Sequence, residues 1–169
     1  KSWKGYDGPR PRTRLVGVQV PYWIAVIDLD LYKDASRDRV DAALGCALDW
    51  DSALIQTTPR GGEHYAFVVP EGFSIPTAVD LFGIKGFDTR AQGNGYIATG
   101  EGYRDCSMIG IVQLFEGPGR YMLPELPAEA CRALGRGVDD FGDTDDNGLL
   151  RLVAAQRIGL SLDQIREYV

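Results

Sequence analysis

An apolar run that closes on two alternating aspartates, Trp23-Ile24-Ala25-Val26-Ile27-Asp28-Leu29-Asp30, is the tightest constraint on how this chain can fold. So short and bulky a run predicts a buried strand over Trp23–Leu29. Side chains two apart on a strand point the same way, so Asp28 and Asp30 are expected on one face at its end. Two neighbouring carboxylates repel. A divalent cation between them removes that cost and gives the pair a use. A solvated strand end accounts for the pair equally well, so the residues downstream must decide.

The rest of the chain reads as short strands with few helices. Leu15–Val20 alternates and is expected to be a strand stopped by Pro21. Ser36 suits the N-cap of a helix over Arg37–Leu48, with Val40, Leu44, Ala47 and Leu48 on one face. Ser52–Thr58 and Glu63–Val69 predict a hairpin around the turn Pro59-Arg60-Gly61-Gly62, closed by Pro70. A short helical turn is expected over Thr77–Phe82, a Gly93-Asn94-Gly95 turn leading into another strand, and a strand over Met108–Phe115. Pro127 opens a helix over Ala128–Leu134. Two helices, Leu149–Ile158 and Ser161–Val169, are expected at the end, the second with a Ser161/Gln164 capping box. This order predicts an α+β protein: a main domain over residues 1–135 and a helical tail or linker over 136–169.

The 169 residues, 44% hydrophobic and 25% charged, suffice to bury one real core. No apolar stretch approaches a membrane span, and no signal-peptide pattern opens the chain. Its start at Lys1 rather than Met reads as a fragment with residues missing upstream. A net charge of −6 counts against a generally basic nucleic-acid binder. The charge is uneven, however. Lys1, Lys4, Arg10, Arg12 and Arg14 make a basic first segment, suited either to touching phosphates or to lying as a solvated loop, while acids gather in Asp139–Asp146. Cys46, Cys106 and Cys131 are scattered and lack a CxxC pair, which argues against a zinc site or disulfide framework and fits a reducing cytosol. All three are expected to be small buried hydrophobes. Asp143-Thr144-Asp145-Asp146-Asn147-Gly148 opens like an EF-hand loop, but its twelfth position is Ala154 instead of a bidentate Glu, so a polar linker is expected there.

His64 is the one histidine, and it follows a turn whose two glycines let another backbone or a ligand come close. Arg60, four residues earlier, is a second donor suited to phosphate oxygens. Asp88, after Gly86 and before Arg90, is a third carboxylate that could complete a metal site begun by Asp28 and Asp30.

Taken in order, Val26-Ile27-Asp28-Leu29-Asp30, Thr57-Thr58-Pro59-Arg60-Gly61-Gly62-Glu63-His64-Tyr65-Ala66-Phe67, and Gly86-Phe87-Asp88-Thr89-Arg90 with Gly93-Asn94-Gly95-Tyr96-Ile97 resemble the motifs of the bifunctional DNA primase/polymerase (Prim-Pol) domain of the archaeo-eukaryotic primase superfamily. Gly119-Arg120-Tyr121 and Leu123–Pro127 resemble that family's less specific closing segment. The resemblance implies an RRM-like catalytic core with a mixed sheet, followed here by a helical appendage. It implies that Asp28, Asp30 and Asp88 hold two divalent ions, Mg2+ or Mn2+, and that His64 and Arg60 contact the triphosphate of an incoming nucleotide, with Arg90 assisting. It also implies template-primer DNA and dNTP or NTP as substrates, a helicase as fused or separate partner, and the cytoplasm of a bacterial or archaeal host cell as the compartment.

The chain departs from that pattern in three places. Gly62 stands where many members have serine, Thr99-Gly100-Glu101-Gly102 replaces a proline- and serine-rich stretch, and the N-terminal portion is short. Two other classes remain open: a nucleotide-sugar glycosyltransferase, which also places Asp-x-Asp after an apolar strand, and a non-catalytic nucleic-acid-binding module on a similar sheet.

Overall fold

The computed structural model describes residues 15–91, 95–107, 110–115 and 121–139. The basic first segment, the Gly93-Asn94 step, the Asp143–Gly148 loop and both terminal helices lie outside the described residues. The described residues form seven strands: β1 (Leu15–Gln19), β2 (Ile24–Leu29), β3 (Leu54–Thr57), β4 (Glu63–Val68), β5 (Phe87–Arg90), β6 (Tyr96–Gly100) and β7 (Arg104–Asp105). β1 and β6 make a two-stranded ribbon, and the other five form one sheet in the order β5-β2-β4-β3-β7. Every ladder is antiparallel. The expected mixed sheet is therefore corrected to an antiparallel one, whose strand β4 makes a single parallel bridge, Val68 to Glu125. Since β2 and β3 both oppose β4, they run parallel to each other with β4 between them. Their crossover carries helices α1 (Arg37–Leu44) and α2 (Trp50–Ala53), a split β-α-β unit.

Alternation along the strands sorts two cores. Ala25, Ile27 and Leu29 of β2, Tyr65 and Phe67 of β4, and Phe87 of β5 pack on one face against Val40, Leu44 and Trp50. Helix α4 (Ala128–Asp139) adds Ala130, Cys131 and Leu134 to the same core. Ile24, Val26, Ala66 and Ile55 line the opposite face with Ile97 of β6 and with Ile111, Leu114 and Phe115 of α3 (Ile111–Phe115). Arg37 fastens α1 behind the sheet by donating to the Tyr65 hydroxyl at 2.8 Å.

Several boundaries differ from expectation for local reasons. Ser36 caps α1 as expected, accepting from the Arg39 N–H at 3.3 Å. The helix stops at Leu44 because Gly45 turns left-handed at φ 75°, yet Leu48 is still buried while Ala47 is exposed. Asp49 caps a further helical turn over Trp50–Ala53, so β3 begins two residues later than Ser52. Instead of a helical turn throughout Thr77–Phe82, Ala78 bridges to Thr89 and a 3-10 turn covers Leu81–Gly83. The strand expected over Met108–Phe115 is replaced by α3 in its described part. Helix α4 follows Pro127 as anticipated but continues beyond Leu134 to Asp139. The cysteines are all free, and Cys106 is exposed, contrary to expectation, whereas Cys131 is buried and Cys46 partly so. No helix among the described residues is long and apolar enough to cross a membrane.

Candidate active site

Strand register assembles the site. Asp88 of β5 stands opposite Asp28 of β2, Asp28 opposite His64 of β4, and His64 opposite Gln56 of β3. Directly opposed residues point to the same face, so these four form one polar row across the sheet. The row continues the stripe of Ile24, Val26 and Ala66 beyond the reach of the second core.

The row is wired together. His64 Nε2 lies 3.3 Å from Asp28 Oδ1, and Arg90 spans the two carboxylates, 3.4 Å from Asp28 Oδ2 and 2.8 Å from Asp88 Oδ2. Asp88 Oδ1 also accepts from the Asp80 N–H at 2.9 Å. Burial pushes the Asp28 carboxyl up, but the hydrogen bond and charge of His64 and the Arg90 guanidinium outweigh it and hold the group below its usual range.

Asp30 is placed differently. β2 ends at Leu29, and Asp30 starts the following turn, its N–H donating to Gly86 O at 2.8 Å. Its carboxylate pairs with Lys33 Nζ at 2.6 Å. Gly86 makes this approach possible: at φ 84°, a Cβ there would lie 2.7 Å from Asp30 Cβ. Asp30 nevertheless opens into the same cavity as Asp28, a space of about 350 Å³ that Tyr32, Thr58, Arg60 and His64 also line. Arg60 reaches it from the exposed β3–β4 turn.

Gly62 in that turn has no room for a side chain. A Cβ would meet Leu29 O at 2.9 Å and Thr58 Oγ1 at 3.0 Å. The hydroxyl beside it is that of Thr58, which accepts from the Gly62 N–H at 2.9 Å and lines the cavity. The hydroxyl that serine would bring at position 62 is thus absent, and a threonine four residues earlier occupies the adjacent space.

Two residues that sequence reasoning did not single out complete the site. Tyr103 stands where the first cavity meets a second of about 360 Å³, lined by Asp28, His64, Thr77, Arg90 and Tyr96 among others. Its ring lies 6.2 Å from that of His64. Burial, with the charge of Asp28 adding to it, raises the Tyr103 hydroxyl pKa. The Gly100-Glu101-Gly102 turn that sets Tyr103 in place packs on the neighbouring turn, with the Gly102 Cβ position 3.0 Å from Pro59 Cγ. Gln56, the second, is fully buried at the far end of the row.

Among the described residues no three of His, Cys, Asp and Glu stand close enough to hold a metal ion. The chemistry of the donors nonetheless fits a hard divalent cation. Asp28, Asp30 and Asp88 offer only carboxylate oxygens, and no thiolate joins them. Arg90 and Lys33 already bring positive charge to these oxygens. Searches with this chain against protein-family profiles, curated proteins and solved structures found no match.

Proposed function

We propose that this chain is the catalytic domain of a DNA primase/polymerase, joining nucleotides on a DNA template by nucleotidyl transfer. The observation that carries the reading is the row Asp88–Asp28–His64, fixed by strand register, with Arg60 at the mouth of the adjoining cavity. The antiparallel order β5-β2-β4-β3 around a split β-α-β unit supports it, since that is the strand plan of a ferredoxin-like or RRM-like sheet. An extended segment with one 3-10 turn stands where such folds have their second helix. The same antiparallel plan speaks against a nucleotide-sugar glycosyltransferase, whose nucleotide lies at the carboxyl ends of parallel strands.

In this reading Arg60 and the His64 Nε2–H bind the triphosphate, and Arg90 offsets the repulsion of Asp28 and Asp88 before substrate arrives. Asp28, Asp30 and Asp88 would hold two Mg2+ or Mn2+ ions, whose chemistry is to acidify the primer 3′-hydroxyl and neutralise the departing pyrophosphate. Tyr103 borders both cavities. Template-primer DNA is the proposed substrate and a replicative helicase, fused or separate, the proposed partner.

Primer extension with Mg2+ or Mn2+ tests the assignment. The Asp28→Asn, Asp30→Asn double variant, shown by thermal melting to be folded, is expected to lose roughly 10²-fold or more of the rate. Extension at the wild-type rate sinks the proposal. DNA binding that survives in this variant, beside a wild-type chain that releases no pyrophosphate, would identify the domain instead as a non-catalytic binding module.

A further inference from the structure

Gln56 has no part in the reading above, yet it is the most confined polar side chain of the row, with no exposed surface. It owes its place to an irregularity. Leu54 pairs with Tyr65, and Gln56, two residues on, pairs with the next residue of β4, His64. The extra residue, Ile55, is a β-bulge. In unbroken register Ile55 would oppose His64, and Gln56 would stand opposite Glu63. The bulge turns Gln56 onto the face of the catalytic row while Ile55 stays in the second core.

The carboxamide nitrogen of Gln56 then has two partners at equal distance. It donates to Ala98 O at 2.7 Å and lies 2.7 Å from His64 Nδ1. The Ala98 carbonyl can only accept, so it decides which end of the carboxamide faces this way. With one amide hydrogen spent on Ala98, the other points at His64 Nδ1, which must accept it. A neutral imidazole that accepts at Nδ1 carries its proton on Nε2. Gln56 Oε1, by contrast, is buried without a hydrogen-bond partner among the described residues. A buried acceptor left unpaired costs stability, so packing alone gives no reason for glutamine here.

We propose that Gln56 is a positioning residue that holds His64 as the Nε2–H tautomer, with that N–H turned toward Asp28 and the cavity that both residues line. The role of the presented N–H as a triphosphate donor rests on the nucleotidyl-transfer reading; the tautomer itself does not. By donating to Ala98 of β6, Gln56 also ties the two-stranded ribbon to the main sheet at the site.

Nuclear magnetic resonance on the full chain tests this, because the single histidine gives one unambiguous pair of ring nitrogens. At a pH where the imidazole is neutral, Nδ1 is expected to be pyridine-like and Nε2 pyrrole-like. A through-hydrogen-bond ¹⁵N–¹⁵N coupling is expected between the Gln56 amide nitrogen and His64 Nδ1. Gln56→Glu offers Nδ1 only acceptors and is expected to put a proton on it. Gln56→Met, which brings no charge into the core, is expected to abolish the coupling while the chain stays folded. Both variants are expected to raise the KM for dNTP several-fold with less change in kcat. A wild-type ring protonated at Nδ1, or no coupling while the Gln56 amide signals are visible, overturns the positioning role and leaves nucleotidyl transfer standing. Coupling as expected, with an unchanged KM in Gln56→Glu, upholds the positioning role and overturns the triphosphate contact.

Discussion

Gly62 shows how a residue with no side chain can fix a site. The β3–β4 turn folds back so tightly that Leu29 O lies 2.9 Å from where its Cβ would be, and that oxygen belongs to strand backbone that cannot swing aside. Serine at this position would have to displace the end of β2, next to Asp28 and Asp30. Gly62→Ser is therefore expected to destabilise the chain by about 1–3 kcal/mol, the usual cost of overpacking. Urea unfolding measures it, and an unchanged midpoint would mean that the turn has room after all. The faces of Asp28 and His64 were legible in the sequence because each sits on a predicted strand where alternation assigns its face, whereas β5 was not predicted and Asp88 stood out only as a carboxylate between Gly86 and Arg90. Asp30 was only half legible, because β2 ends one residue before it. Gln56 and Tyr103 were not legible: a bulge overrides alternation at the first, and a turn of two positive-φ glycines, Gly100 and Gly102, sets the direction of the second.

Among the elements, helix α1 and helix α3 explain why some boundaries could be read and others could not. The start of α1 is written in a single hydroxyl, Ser36, whose acceptor replaces a missing intrahelical partner. The identity of α3 is written nowhere locally. Ile111–Phe115 is too short and too apolar for a helical period to stand out from a strand, and only packing against Ile24, Val26 and Ile97 decides between them. The same logic separates stability from chemistry in α1. Its buried residues Val40 and Leu44 belong to the core behind the sheet, on the face opposite the Asp88–Asp28–His64 row. Ser36→Ala is accordingly expected to cost about 1 kcal/mol in chemical denaturation while leaving dNTP affinity unchanged. A loss of affinity that exceeds the loss of stability would show that α1 reaches the site.

At the scale of the whole molecule, the described residues pack apolar side chains on both faces of the sheet, and the polar row emerges at the edge of one of them. Asp28 sits at that border, and its ionisation is coupled to folding. Burial opposes its charge, but His64 and Arg90 reverse the balance and hold its pKa below the ordinary carboxylate value. A carboxyl whose folded pKa is depressed stabilises the fold at pH values above its unfolded pKa, about 4. That contribution is lost as the pH falls through the lower folded value. Asp80 is shifted the same way by Lys85 and the Gly86 N–H, but it is exposed to solvent that screens its charge, so it is expected to add little to the effect. Removing Asp28 should therefore matter most at neutral pH and least in acid. In urea melts without divalent cations, wild type is expected to lose stability more steeply than Asp28→Asn between about pH 5 and pH 2, the two curves converging at the acid end. Parallel curves would mean that the contacts of Asp28 with His64 and Arg90 do not favour its charged form, and the polar row would then lose its electrostatic basis.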